Sequence, residues 1–394
     1  MSRADGRTAA SRRRPSAWRW PVHPRPGEAF TSWLQHSARQ NEVKLASFVD
    51  YTMGDKTLLT RDMDKGPNLP ALARLAACCA LDEDQLRATT LRILEGRLSR
   101  NVSLASHTRW VLPVTRDGVA VPTRGQPFCG ECLAEGDPYS RLTWRLSFAP
   151  MCLQHRRVLH DACPFCRAPV MFHRLDAGFG LKNRLALTPV SVCWHCQLDL
   201  REAHRCRRLG AVTQTGALKL QTQLLDALKT GTTVAGARVV SALDFATVVY
   251  ALMKAVSFGS RTGRLQAAVS EASGVRRVMA PRRQRPQVTE SLGSVDRAKT
   301  LALTGWLLED WPSRLQDVAR QAGVSRSVLI QHVPKNEVPT WFSEVLLALP
   351  TGHGRPPKRQ REAEQTVQTL QEAEDVRDRL AARPPTHHPG EAPA

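Results

Sequence analysis

The chain has 394 residues, 42% of them hydrophobic, with 56 Lys and Arg against 36 Asp and Glu, a formal net charge of +20. That composition excludes a wholly disordered chain, since it can build two or three cores, and its field attracts polyanions, so DNA leads the expected partners. No apolar run is long enough for a membrane span and the arginine-rich start lacks the apolar stretch of a secretory signal, so a cytoplasmic protein, nucleoid-associated when bound to DNA, is expected. In a reducing compartment, ten cysteines point to metal binding and core packing rather than a disulfide framework.

Residues 1–19 are short of aliphatics and rich in Arg, Ser and Ala, and read as a disordered basic arm. A helical domain is expected over 20–126. It opens with a face made by Phe30, Trp33 and Leu34. Two short amphipathic helices follow, split at Ala80-Leu81-Asp82, with Asp82 and Gln85 spaced as a capping box. Their apolar offsets, Leu75, Ala76, Ala80, Leu81 and Leu86, match a helix-turn-helix. Ala80 replaces the usual turn glycine, however, and the acidic start of the second helix would repel phosphate. Packing or protein binding is therefore favoured over DNA contact. Cys78 and Cys79, on the apolar helix, read as core thiols.

Residues 127–210 hold the ordered cysteines among short strand-like runs and turns. Cys129 and Cys132 form one Cys-x-x-Cys pair, and after nineteen intervening residues Cys152 and His155 form a Cys-x-x-His pair. Cys163 and Cys166 follow after seven residues, and Cys193 and Cys196 after twenty-six more. A two-residue gap lets one tight turn aim two donors at a cation while backbone N–H groups point at the thiolates. The spacing predicts two structural Zn²⁺ per chain, one on Cys129, Cys132, Cys152 and His155 and one on Cys163, Cys166, Cys193 and Cys196. His160, His173, His204 and Cys206 lie near enough to substitute, and His204 with Cys206 are the rivals to Cys163 and Cys166. Sites filled by four protein donors leave no position for substrate or water.

Helices are expected again over 211–280, then a basic, proline-marked hinge, then a second helix-turn-helix-like domain over 290–350. In "LQDVARQAGVSRSVLIQHVP", Leu315, Val318 and Ala319 face inward, Gly323 takes the left-handed turn, Val324 packs in, Ser325 caps the second helix and Pro334 stops it. Ser325, Arg326, Ser327 and Gln331 are the candidate DNA contacts, and Ile330 is expected to face outward with them. Residues 351–394 read as a linker and flexible tail, with one polar helix marked by Val367, Leu370, Val376 and Leu380. The fold class is thus mainly α with small zinc-stabilised β/turn modules: an N-terminal helix-turn-helix, tandem zinc knuckles and a helical C-terminal half.

The segments "PRPGEAFTSWL", "LARLAACCALDEDQLRATTLR", "FCGECL", "YSRLTWRLSFAPMCLQHRRVL", "DACPFCRAPV" and "CWHCQLDL" together resemble the TniQ/TnsD family of transposition target-selection proteins. The resemblance covers roughly residues 20–210. It implies a DNA-binding adaptor that joins target DNA, or a complex bound to it, to an AAA+ ATPase and indirectly to a DDE transposase; a homodimer is compatible with it. The position after each second cysteine, often glycine in such knuckles, holds Leu133, Arg167 and Gln197. No phosphate-binding Gly-x-x-x-x-Gly-Lys-Ser/Thr loop occurs, so no catalytic activity is expected. A zinc-containing transcription regulator is the alternative function, ahead of a nuclease or transposase.

Overall fold

The face of Phe30, Trp33 and Leu34 becomes helix α1 (Phe30–Gln40), with all three side chains fully buried. The computed structural model describes residues 20–104, 106–114, 125–172, 189–203, 209–258, 263–278, 288–334 and 337–351. Its contacts divide the chain into two units, Met1–Leu209 with Gly293–Val295, and Gly210–Leu292 with Asp296–Ala394. The basic arm and the C-terminal helix candidate lie outside the described residues.

In the first unit, α1 packs with α2 (Leu45–Met53), α3 (Leu69–Cys79) and α4 (Glu83–Ala88) around one apolar cluster that includes Phe48, Leu72, Leu75 and Leu86. Cys78 and Cys79 are buried within it, and burial pushes the Cys79 thiol up to about 12. The Asn68 carboxamide caps α3 by accepting from the Ala71 N–H at 2.9 Å. The helix ends at Ala80 in the left-handed region, φ +53°. That conformation costs an alanine about 1 kcal/mol. The Asp82 carboxylate caps α4 through the Asp84 N–H rather than reciprocally with Gln85, so the expected box is a single cap.

A buried charge network fastens this helical cluster to the cysteine-bearing region. Arg145 is 1% exposed and grips Asp62 with two parallel bonds of 2.9 and 2.7 Å, while also reaching Asp64 and the Leu112 carbonyl. Asp64 accepts in turn from the Thr31 N–H in the first turn of α1 and from the Gln126 amide. Burial works against the Arg145 charge, but Asp62 and Asp64 outweigh it and hold the guanidinium ionised. Glu28 is the buried acid of the "PRPGEAF" stretch: it accepts from Ser32 Oγ and the Arg25 N–H, and burial raises its pKa.

Among the described residues the cysteine-bearing region has little regular structure: a short helix α5 (Gly130–Ala134), single turns such as Leu142–Arg145 and Leu200–Glu202, and isolated bridges such as Phe128 to His160, Met151 to Val158 and Val192 to Asp199. Phe128, Leu133, Trp144, Met171, Phe172 and Leu200 form its core with the cysteines themselves. Gly130 permits α5 to lie against the 200–203 turn, since a Cβ there would sit 3.0 Å from the Leu200 carbonyl oxygen.

The second unit contains α6 (Ala211–Thr230), a hairpin of β1 (Thr232–Ala235) and β2 (Arg238–Ser241), α7 (Ala242–Phe258), α8 (Arg264–Ser273), all but the first two residues of α9 (Ser294–Glu309), α10 (Ser313–Gln321), α11 (Arg326–Ile330) and α12 (Thr340–Leu347). The hairpin, paired antiparallel with Val234 opposite Val239, interrupts the stretch expected to be helical; alternation around the Gly236 turn was its signal. Helix α7 is buried on most sides, as Phe245, Val248, Val249, Leu252 and Met253 show. Its Ser257 hydroxyl meets Thr300 of α9 at 2.9 Å. Leu315, Val318 and Ala319 of α10 face inward, Gly323 takes φ +60°, and Val324 is buried behind it. Helix α11 is only five residues long and packs on α7 and α12. Ile330 therefore faces the core, 1% exposed, and not outward as expected. Ser325 stands at the cap position but makes no capping bond; its hydroxyl pairs with Ser327 Oγ at 2.7 Å. Among the described residues no helix is long and apolar enough to cross a membrane.

His332, just past α11, is largely enclosed, and its Nε2 is buried with no hydrogen-bond partner among the described residues. Burial, then the Lys254 charge, lowers its pKa from 6.5 to about 4. The folded state keeps the ring neutral, so as pH falls from about 6.5 towards about 4 the unfolded chain binds the extra proton and stability drops. Between pH 7 and pH 5, wild type should lose roughly 1–2 kcal/mol more than His332→Leu in urea unfolding. Equal losses would show that His332 charges freely in the folded chain.

Candidate metal centres

Two tetrads of donors converge among the described residues: Cys129, Cys132, Cys152 and His155, and Cys163, Cys166, Cys193 and Cys196, each with its ligand atoms within 4.8 Å of one another. The local backbone explains why. In the second half of centre one and in both halves of centre two, the first donor's N–H bonds the carbonyl five residues on: Cys152 to Arg157, Cys163 to Ala168 and Cys193 to Leu198, at 2.8–2.9 Å. The residue after the second donor turns left-handed in each: Arg156, Arg167 and Gln197 have φ of +53°, +64° and +64°. Glycine would adopt that turn without cost, and these side chains adopt it at about 1 kcal/mol each. The pair Cys129 and Cys132 is built differently. Its second half runs into α5, so Leu133 is helical and fully buried, and needs no left-handed turn.

Backbone N–H groups point at the sulfurs, among them His155 N–H to Cys152 Sγ at 3.4 Å. In centre one Cys132 Sγ lies 3.4 Å from Cys152 Sγ, and His155 Nδ1 lies 3.6, 3.3 and 3.5 Å from Cys129, Cys132 and Cys152. In centre two Cys163 to Cys196 is 3.7 Å and Cys166 to Cys193 is 3.8 Å. A tetrahedral zinc with bonds of about 2.3 Å to sulfur and about 2.0 Å to nitrogen has edges of about 3.8 and about 3.5 Å. The spacing therefore fits one ion per tetrad and excludes disulfides, whose sulfurs stand about 2 Å apart.

The electrostatics agree. Hydrogen bonds from Cys129 and Cys132 drive the Cys152 thiol far down, while hydrogen bonds with Cys132 and Cys152, and then burial, drive Cys129 far up. The cluster by itself can hold only part of its sulfur as thiolate, and a dication removes that restriction. In centre two, burial raises Cys193 and Cys196; it opposes the ionisation of Cys166 as well, but the Ala168 N–H and bonds with Cys196, Cys163 and His195 bring that thiol down to about 7.

Of the rival ligands, His160 is not in either tetrad: it stacks on Phe128 at 5.1 Å and its Nε2 meets the Ala203 carbonyl oxygen at 3.1 Å. His173, His204 and Cys206 lie outside the described residues. The candidate DNA contacts fall around α11. Gln331 is exposed, whereas Ser325, Arg326 and Ser327 are half-buried, and the Arg326 N–H donates to the Pro350 carbonyl at 3.1 Å. Two residues that matter here escaped the sequence reading: Arg145, whose signal is a charge inside the apolar "LTWRLSFAP", and Glu135, three residues beyond a ligand.

No curated protein matches the chain at a significant level. The TniQ family model matches residues 19–159, which span α1 to α4, the Arg145 network and the whole of centre one. Over this segment the chain is similar to the TniQ family, whose members are associated with transposition.

Proposed function

We propose that this chain is a non-catalytic, DNA-binding adaptor of transposition that holds an AAA+ ATPase, and through it a DDE transposase, at target DNA or at a complex bound there. The TniQ match carries this reading, because it encloses the helical core and the first metal centre as one fastened piece. The net charge of +20 supports a polyanionic partner. Two structural Zn²⁺ are proposed, on Cys129, Cys132, Cys152 and His155, and on Cys163, Cys166, Cys193 and Cys196. Bound there, zinc would fix turns that bury little apolar surface of their own, and four protein donors would leave it no position for substrate. An adaptor acts by raising the effective concentration of one partner at the other.

Reconstituted insertion with and without this protein tests the reading. Its addition should change where or how often the transposase inserts, while the isolated chain neither cleaves nor joins DNA. Metal-dependent cleavage by the isolated chain, abolished by a carboxylate substitution, would overturn it. An unchanged insertion pattern would do the same.

The DNA contacts are proposed at Ser325, Arg326, Ser327 and Gln331, supported by the Gly323 turn between α10 and α11. Arg326→Ala and Gln331→Ala should weaken binding to the preferred site by about 1–3 kcal/mol more than binding to random DNA. Equal losses on both DNAs would reduce them to phosphate contacts or to structural residues. Point variants are the right tool, since α10 and α11 share a core with α7 and α8 and a deletion would expose it.

A further inference from the structure

His155 can offer either ring nitrogen to a metal, and which one it offers depends on what holds the other. In centre one Nδ1 faces the three sulfurs, and Nε2 lies 2.9 Å from Glu135 Oε1. Glu135 is itself held: its Oε2 accepts from Gln154 Nε2 at 2.6 Å, and Gln154 Oε1 accepts from Arg141 at 3.1 Å. The other nearby acid, Glu131, stands 4.0 Å from Nδ1 and pairs with Arg157 at 3.5 Å, so it does not compete for Nε2–H. Centre two contains only sulfur donors.

We infer that Glu135 is the positioning residue of the first metal centre: by accepting the Nε2–H of His155 it fixes the tautomer that presents the Nδ1 lone pair to the ion. This rests on the reading that the tetrad of Cys129, Cys132, Cys152 and His155 holds a divalent metal. The carboxylate makes the imidazole a better donor and prevents the ring from turning its protonated nitrogen toward the sulfurs. Glu135 sits at the end of α5 with its side chain 47% exposed, so replacing it removes the contact without opening a cavity.

The test uses the full chain, stripped of metal under reducing conditions, then titrated with Co²⁺ and with Zn²⁺ against a chromophoric chelator. In Glu135→Ala, one of two sites should bind about 10- to 100-fold more weakly, with shifted Co²⁺ ligand-field bands, while the other keeps its affinity and spectrum. Glu135→Gln should restore most of the affinity, because its carbonyl oxygen still accepts from Nε2–H, and Glu131→Gln should match wild type. If Glu135→Ala binds like wild type at both sites with unshifted bands, the positioning role is wrong although the centres stand. If wild type takes up no ion at the first tetrad, the metal reading fails, and the role of Glu135 fails with it.

Discussion

Cys129→Ser and Cys163→Ser should each lose one bound metal ion of two, and each should loosen the region between residues 125 and 203. The expectation follows from how little else holds that region. Its regular structure among the described residues is α5, a few single-turn helical segments and isolated bridges, and five of its sixteen buried core residues are candidate ligands: Cys129, Cys132, Cys152, Cys163 and Cys193. Zinc binding contributes on the order of 10 kcal/mol to folding in small zinc domains, more than the roughly 5–15 kcal/mol net stability of a typical domain can spare. A serine hydroxyl is a poor substitute for a thiolate, and the three left-handed residues after the donors lose the constraint that keeps them there. Elemental analysis of the purified chain should give two ions for wild type and one for either variant, and limited proteolysis should cut first within 125–203. The α1 to α4 cluster, with its own apolar core, should outlast that cleavage. A soluble, folded wild-type chain with one ion or none would refute the two-centre reading.

Arg145→Met should destabilise the first unit by about 3–5 kcal/mol, the typical cost of breaking a buried ion pair from one side. Methionine fills much of the space but leaves Asp64, which is fully buried, without its cation, and frees the Leu112 carbonyl. For a unit of this size the midpoint of thermal unfolding should fall by on the order of 10 °C. Arg145→Lys should recover little, because an ammonium cannot make the two parallel bonds to Asp62. Adding Asp64→Asn to Arg145→Met should recover part of the loss by removing the stranded charge. Metal content should stay at two ions throughout, which separates this fastening from the metal centres. An Arg145→Met chain as stable as wild type would show that apolar packing, and not the ion pair, joins the helical cluster to the cysteine-bearing region.

Helical periodicity puts Ile330 on the outer face, but periodicity gives a direction only if the helix continues, and α11 stops after five residues with α7 and α12 packed on it. The Asp82 box failed because Asp84, not Gln85, supplies the N–H that reaches the carboxylate. The hairpin at 232–241 is inconspicuous in the sequence because its two four-residue strands lie between long helical stretches. Arg145 looked like one more arginine in a chain with 56 basic residues, and its partner Asp62 is 83 positions away.

What the sequence by itself determined is local. Two-residue donor spacing sets the turns that aim Cys163 and Cys166, or Cys193 and Cys196, at a common point, and the apolar offsets of Phe30, Trp33 and Leu34 or of Leu315, Val318 and Ala319 set which helix faces are buried. The left-handed turn at Gly323 belongs to the same class, since only the residue's own φ is at issue. The spacing also favours the two donor groupings that the fold brings together, whereas tertiary structure alone decided which carboxylate steadies His155 and which acids neutralise Arg145. Those choices depend on distances between groups 20 to 83 positions apart, which are fixed only when the apolar cores close and a buried charge or polar group must find its partner there.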